Sequence, residues 1–149
     1  MMKIYLGSDH AGFDVKEKLK KFLDKEGFRY VDMGAFEYKE RDDYPDYGFK
    51  VAEKVSKTKN ARGILICGSG VGMAIVANKV KGIRAAAAYD DYTASMSRLH
   101  NDTNVLELRG RKFPFNKTKK IVSIWLTTPF SEAKRHIRRI KKISDYEKK

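Results

Sequence analysis

The hydrophobic positions of the chain form short apolar runs that alternate with amphipathic stretches. Apolar runs at 3–8 and 28–33 flank a segment in which Val15, Leu19 and Phe22 lie on one helical face. This order predicts strand, helix and strand, a unit that is typical of parallel sheets.

The same alternation continues along the rest of the chain. The pattern predicts helices at 46–58, 71–79, 91–99, 115–127 and 131–145, and strands at 63–67, 83–88 and 104–108. Thr128-Pro129 separates the last two helices, and Ser131 with Glu132 can begin the second of them. The sequence therefore predicts a doubly wound, Rossmann-like α/β sandwich of three layers, with a mainly parallel sheet of about five strands and an extra C-terminal helix.

Length and charge narrow the picture further. The chain of 149 residues, with three prolines and no linker-like segment, fits one domain over 1–149. Its single cysteine excludes an internal disulfide, and no apolar run is long enough for a membrane span, so we expect a cytoplasmic protein. The net charge of +13 is concentrated in residues 111–149, which hold 13 Lys and Arg against 3 Asp and Glu. Such a basic segment fits a phosphate-binding wall, a nucleic-acid surface or a solvated helix face.

The only cysteine, Cys67, stands where an apolar strand meets a glycine-rich turn. The run 63–66 leads into Cys67, and Gly68-Ser69-Gly70-Val71-Gly72 follows at the start of a predicted helix. Unpaired N–H groups at a helix N-terminus bind anions and favour the thiolate form of a nearby cysteine. The loop can therefore supply a thiolate base and an anion cradle, and the alternative is a small buried side chain beside a tight turn.

Polar side chains follow three of the predicted strands. They are Ser8-Asp9-His10 after the first, Cys67-Gly68-Ser69 after the third and Asp90-Asp91 after the fourth. Because parallel strands end at one edge of a sheet, these groups are expected to meet there. The alternative for Asp9 is a helix cap.

Further candidates lie in the C-terminal third of the chain. His100 follows a helical segment and is one candidate. Its alternative role is a favourable interaction with the negative end of the helix dipole. Arg135 and Arg139 share a helical face and can grip one phosphate, while the packed face is predicted to hold Ile137, Ile140 and Ile143. Together with the thiol and the glycine amides, these groups suit proton removal next to a carbonyl, which is isomerase chemistry.

Three other functions are alternatives to isomerisation. A dinucleotide-binding loop needs a third glycine or alanine where Met73 stands, although Asp90 lies at a suitable distance for a ribose contact. A cysteine phosphatase needs an arginine at that same position. An RNA-binding module is suggested only by the basic C-terminal region.

Several ordered motifs resemble one enzyme family, ribose-5-phosphate isomerase of type B, over nearly the whole chain. A wider superfamily includes galactose-6-phosphate isomerase subunits, so the resemblance leaves a hexose 6-phosphate (galactose or allose) as the alternative substrate. The motifs are Gly7-Ser8-Asp9-His10-Ala11-Gly12, Asp43-Tyr44-Pro45, Cys67-Gly68-Ser69-Gly70-Val71-Gly72, Ala77-Asn78-Lys79, Gly82-Ile83-Arg84-Ala85, His100-Asn101-Asp102-Thr103-Asn104 and Arg135-His136.

The resemblance implies a role for each matching residue. Cys67 matches the base that moves a proton between C1 and C2 of the open-chain sugar phosphate through a cis-enediol(ate), in the pentose phosphate pathway. Ser69 and the backbone of Gly68, Gly70, Val71 and Gly72 match the anion hole, and Asp9 matches a sugar-hydroxyl ligand. His100 matches the ring-opening group, Asn101 a neighbouring substrate contact, and Tyr44 the loop beside the sugar.

The resemblance also implies how the phosphate is bound and how the site is assembled. His10, Arg111, Arg135 and Arg139 fall at phosphate-binding positions, with Arg109 as a competitor for the place of Arg111. The family forms homodimers or homotetramers whose sites are shared, so His100, Asn101 and Arg111 are expected from a partner chain. Neither a metal nor a cofactor is expected, and neither is a membrane or nucleic-acid partner.

Overall fold

The computed structural model describes all 149 residues as five strands and six α-helices. The strands are β1 (Lys3–Ser8), β2 (Tyr30–Asp32), β3 (Ala61–Cys67), β4 (Ala85–Ala87) and β5 (Val105–Arg109). The helices are α1 (Phe13–Lys25), α2 (Tyr44–Ser56), α3 (Val71–Asn78), α4 (Asp91–Asn101), α5 (Phe115–Thr127) and α6 (Lys134–Glu147). A short 3-10 turn at His10–Gly12 precedes α1.

All five strands run parallel, in the order β2-β1-β3-β5-β4. The chain moves outward in one direction from β1 and in the other from β3, so the connections that follow these two adjacent strands leave in opposite directions. Ser8 at the end of β1 pairs in register with Ile66 of β3. The crevice beyond these ends is the switch point at which open α/β sheets bind ligands.

Alternating side chains of the central strands build one apolar layer on each face of the sheet. Ile64 and Ile66 point toward α1, α4 and α5, where Trp125 is fully buried. Leu65 and Cys67 point the other way, among residues of α2 and α3. The predicted three-layer α/β fold with a parallel sheet is therefore confirmed.

Several predicted boundaries shift for local reasons. The last helix begins at Lys134 rather than at residue 131, because Glu132 has a left-handed φ of 57° that a helix cannot include. The Ser131 hydroxyl instead accepts the N–H of Ala133 at 3.3 Å. The predicted strand 83–88 shortens to the three residues of β4, which has a partner on one side only.

The prediction of a packed isoleucine face on α6 is wrong. Ile137 and Ile143 are 49% and 54% exposed, Ile140 is partly buried, and the buried side chain is His136. The helix α6 packs against the end of α4 rather than lying on a face of the sheet, so the sheet does not cover its isoleucines. None of the helices combines the length and the apolar character that crossing a membrane requires.

Candidate active site

Cys67 is the last residue of β3 and is 4% exposed, at the switch point of the sheet. The turn that follows depends on Gly70, whose φ of 82° lies in the left-handed region and which caps α3. A Cβ atom at Gly70 would also lie 3.3 Å from the backbone of Leu108. The glycine thus lets the chain turn sharply, so that α3 begins beside the thiol.

Ser69 and the first residues of α3 form the polar wall of this turn. The exposed Ser69 hydroxyl accepts the Val71 N–H at 3.3 Å, and its carbonyl accepts the Tyr89 hydroxyl at 3.0 Å. Backbone N–H groups in the first turn of a helix have no partner within the helix, and they carry its partial positive charge. The turn can therefore hold a developing oxyanion.

Asp9 and His10 enter the same crevice from the end of β1. Asp9 is 5% exposed, and its carboxylate accepts the Gly12 N–H at 3.1 Å. Burial raises the pKa of Asp9, although the Gly12 hydrogen bond opposes the shift. His10 Nδ1 lies 2.6 Å from Asp42 Oδ1, which fixes the ring and leaves Nε2 as the nitrogen that faces a ligand.

Asp42 is a member of the site that the sequence analysis missed. It also accepts the His10 backbone N–H at 2.9 Å, so one carboxylate orients both the ring and the backbone of His10. Ligand atoms of Asp9, His10 and Asp42 lie within 4.8 Å of one another, a spacing that a metal ion could bridge. The 2.6 Å contact between His10 Nδ1 and Asp42 Oδ1 is a direct hydrogen bond between two of these groups, and we assign no metal there.

Arg111 lies beside the first glycine of the turn, and Tyr44 lies beside its last glycine. The Arg111 N–H donates to the Gly68 carbonyl at 3.2 Å, and a Cβ at Gly68 would lie 3.5 Å from Arg111 Nη1. A Cβ at Gly72 would lie 2.9 Å from the Tyr44 ring, so the ring and the loop backbone are in direct contact.

Arg109 has a different environment from Arg111. Its guanidinium lies over the rings of Tyr89, at 5.7 Å, and Phe113, at 5.8 Å. The guanidinium that lies against the glycine turn is thus that of Arg111 rather than that of Arg109.

Glu107 is a second site residue that sequence reasoning missed. It lies on β5, its side chain is fully buried, and its Oε1 is 3.7 Å from Cys67 Sγ. Burial, followed by the proximity of Cys67 and Asp9, raises the pKa of Glu107 well above its ordinary value. A charged residue inside the apolar stretch 105–108 was the available signal.

Another group of predicted site residues collects where α4 meets α6. The rings of His100 and His136 lie 4.4 Å apart, and His136 Nδ1 is 2.7 Å from the Ser131 hydroxyl. Burial, followed by the positive charge of Arg135, lowers the pKa of His136. Arg135 and Arg139 are exposed on the same helix, and Asn101 is exposed at the end of α4.

The Cys67 group and the His100 group lie at opposite edges of the sheet: the first is at the carboxyl ends of the strands, and the second is at their amino ends. α4 leaves the carboxyl end of β4 and returns to the amino end of β5, and its 11 residues span about 16 Å. The Asn101 carbonyl accepts the Arg84 side chain at 2.9 Å, just before β4 begins. His100 and Asn101 are therefore remote from the Cys67 of their own chain.

The positions of the two groups change the set of residues that is expected from each chain. Arg111 was expected with His100, on the chain opposite Cys67, but it contacts the Cys67 loop of its own chain. The reason is that β5 ends beside β3 and delivers Arg111 to the same edge as Cys67. Arg135 and Arg139 instead group with His100.

Asp90 and Asp91, expected at the carboxyl edge, act in local structure. Asp90 caps α4 by accepting the Thr93 N–H at 2.7 Å, and this hydrogen bond lowers the pKa of Asp90. Asp91 forms an exposed ion pair with Lys120. We assign neither to the chemistry.

A thiol, a buried carboxylate and a glycine turn at the switch point of a parallel sheet define an α/β protein built to bind a small anionic molecule. The chain belongs to the Ribose/Galactose Isomerase family, whose model matches residues 4–143.

Individual relatives agree with this assignment. Ribose-5-phosphate isomerase B of Mycolicibacterium paratuberculosis is 40% identical, over 99% of this chain and 92% of the relative. The crystal structure of ribose-5-phosphate isomerase B from Mycoplasma genitalium with bound ribulose-5-phosphate superposes with a TM-score of 0.95 at 42% identity, covering 99% of this chain and 97% of that one. The Clostridium thermocellum ribose-5-phosphate isomerase B gives 0.93 at 47% identity, covering 99% and 98%.

Proposed function

We propose that the protein is an aldose–ketose isomerase that interconverts ribose 5-phosphate and ribulose 5-phosphate, with Cys67 as the base. The observation that carries this proposal is the position of Cys67, which ends a central strand at the switch point and meets the glycine turn. Relatives named ribose-5-phosphate isomerase B and the ribulose-5-phosphate in one of them support the choice of substrate.

The reaction needs one base and one oxyanion site. The Cys67 thiolate takes the proton from C2 of open-chain ribose 5-phosphate, and the C–H electrons form the C1–C2 double bond. The negative charge moves onto the former carbonyl oxygen, where the N–H groups of the turn and the Ser69 hydroxyl stabilise it. After a proton shifts between the two enediol oxygens, the Cys67 thiol returns a proton to C1, which yields the ketose.

Other residues hold the substrate in place. The buried Asp9 carboxylate accepts hydrogen bonds from sugar hydroxyls, and the Tyr44 ring closes the side of the loop. The guanidinium of Arg111 offers donors to the phosphate from the Cys67 edge, and the Nε2 side of the His10 ring faces the phosphate there.

The remaining functions require a second copy of the chain. His100 opens the furanose ring, Asn101 contacts the substrate, and Arg135 with Arg139 completes the phosphate grip, all from the partner of a homodimer or homotetramer. The distance between the two edges supports this arrangement, because one chain does not bring Cys67 and His100 together. In a two-fold dimer each chain gives one half to each of two equal sites.

Exposed apolar side chains beside the Cys67 loop support the same arrangement. Val71 and Ile75 on α3 are 50% and 57% exposed, and Tyr44 is 40% exposed. A second copy would cover this apolar surface.

Some relatives in the resembled family use a glutamate from this part of the loop as their base, but this chain has Ile75 there and follows the thiol branch.

The single free cysteine also supports a cytoplasmic location.

An assay with three substrates tests the proposed function. Wild-type protein is offered ribose 5-phosphate, allose 6-phosphate and galactose 6-phosphate, and conversion is followed by nuclear magnetic resonance. We expect the highest kcat/KM with ribose 5-phosphate. Preference for a hexose phosphate would keep the chemistry and replace the substrate, whereas no conversion of any of the three would refute the isomerase.

A further inference from the structure

Glu107 is a buried acid that the mechanism above does not use. Its side chain is fully buried in the middle of β5, Oε1 lies 3.7 Å from Cys67 Sγ, and Oε2 is buried without any hydrogen-bond partner. A buried ionised carboxylate is costly unless a cation or several donors compensate it. The contact with Cys67 therefore needs an explanation beyond packing.

No positive charge neutralises Glu107. The neighbouring strand β4 contributes only alanines, and α3, which packs over β5, has no titratable side chain. Cys67 from β3 and Asp9 from the end of β1 are the titratable groups that act on it, and both favour its protonated form. Arg109, two residues further along β5, lies over aromatic rings and forms no ion pair with Glu107.

We infer that Glu107 is a positioning residue for the base: it holds a proton and donates its O–H to the Cys67 thiolate. The two side chains then share one proton and one negative charge, with the proton on the carboxyl oxygen and the charge on sulfur. This arrangement gives the buried Oε1 of Glu107 a hydrogen-bond partner, and it stabilises the thiolate away from water. The inference rests on the proposed function only for its catalytic meaning, since the proton sharing itself is a property of the free protein.

The proton balance of the reaction stays simple in this arrangement. The thiolate takes the substrate proton at C2 and becomes a thiol, while Glu107 keeps its own proton throughout. When the thiol returns a proton to C1, the thiolate is restored and again accepts the Glu107 O–H. Glu107 therefore touches no substrate atom and acts only through Cys67.

Two substitutions separate the possible roles of Glu107. Glu107→Gln keeps the shape and an N–H donor but carries no charge, and Glu107→Met keeps the length but donates nothing. Glu53→Gln, which alters an exposed residue of α2, is the matched control. Because Cys67 is the only cysteine, the ultraviolet absorbance of the thiolate reports on it alone, with Cys67→Ser as the blank.

The measurement is the pH midpoint of the thiolate signal, taken together with the acid limb of the kcat/KM profile. We expect Glu107→Gln and Glu53→Gln to stay within about half a pH unit of wild type. Glu107→Met is expected to move the midpoint upward by about 1 to 2 pH units, which is the loss of one hydrogen bond to a charged group. The acid limb should move with the thiolate signal, and KM should change little.

Two results would overturn the inference. A Glu107→Gln midpoint well below that of wild type would mean that Glu107 is ionised and repels the thiolate. Equal midpoints for wild type and Glu107→Met would leave Glu107 with a packing role only. Failure of the proposed function is distinguishable, because the thiolate midpoints are measured without turnover. They test the role of Glu107 even in a wild-type protein that has no isomerase activity. Thermal melting establishes that each variant is folded.

Discussion

Replacing Cys67 by alanine is expected to lower kcat for ribose 5-phosphate isomerisation by about a thousandfold or more, because the reaction loses its only base. The affinity for ribulose 5-phosphate should change little, since the phosphate and hydroxyl ligands remain. The thiol is buried and small, so its truncation leaves the crevice almost unaltered. Steady-state kinetics and calorimetric titration with the ketose phosphate measure the two effects separately.

The matched control is Ser56→Ala at the exposed end of α2, which should keep wild-type kcat. Thermal melting of the Cys67→Ala variant shows whether the fold is intact. A folded Cys67→Ala protein with kcat near that of wild type would remove Cys67 from the role of base. Loss of ligand affinity together with kcat would instead indicate that the thiol shapes the binding site.

Combining two inactive variants in one dimer is expected to restore about half of wild-type activity, because each two-fold dimer site takes one half from each chain. One variant is Cys67→Ala, and the other is the double substitution Arg135→Ala with Arg139→Ala. Each is expected to be nearly inactive alone, since the pair of arginines contributes at least one hydrogen bond to the phosphate, about 1.5 to 3 kcal/mol. A mixed dimer has one site with both halves intact. The two variants are coexpressed with different tags, purified as the mixed species and assayed.

The control pairs Cys67→Ala with Asp9→Asn, two changes at the same edge of the sheet. Every site of that mixed dimer carries one damaged half, so its activity should not exceed that of the separate variants. Equal recovery for both pairs would contradict the shared site. No recovery for the first pair would place Arg135 and Arg139 outside the site or with the Cys67 of their own chain.

Much of the fold could be predicted from the hydrophobic pattern. The helix predicted at 115–127 has those bounds in the structure, and the strand that ends at Cys67 was placed correctly. Both depend on local signals: an apolar period in the helix, and an apolar run closed by glycines in the strand. Parallel topology then brings Asp9 and Cys67 to one edge without further information.

Predictions that needed tertiary contacts were less successful. The isoleucines of α6 have a helical period, but period alone does not show whether a surface is covered, and most of this face is exposed. Arg111 and Arg135 both match phosphate positions, yet only strand order shows that they lie at different edges. Sequence spacing carries no such information.

The two site residues that sequence reasoning missed share one physical feature. Asp42 and Glu107 act through other side chains: Asp42 orients His10, and Glu107 faces Cys67. Their partners are distant in the sequence, so no motif joins them. An acid in an otherwise apolar strand, such as Glu107, is the kind of local conflict that marks a functional position.

The most direct test of the central claim is isomerisation in heavy water, followed by nuclear magnetic resonance. Proton transfer through an enediolate exposes the abstracted proton to solvent while it resides on sulfur. Wild-type protein is therefore expected to form ribulose 5-phosphate that carries deuterium at C1, and Cys67→Ala is expected to form none. Ketose that reaches equilibrium without any deuterium at C1, or deuterium incorporation that survives in Cys67→Ala, would contradict proton transfer by the Cys67 thiolate.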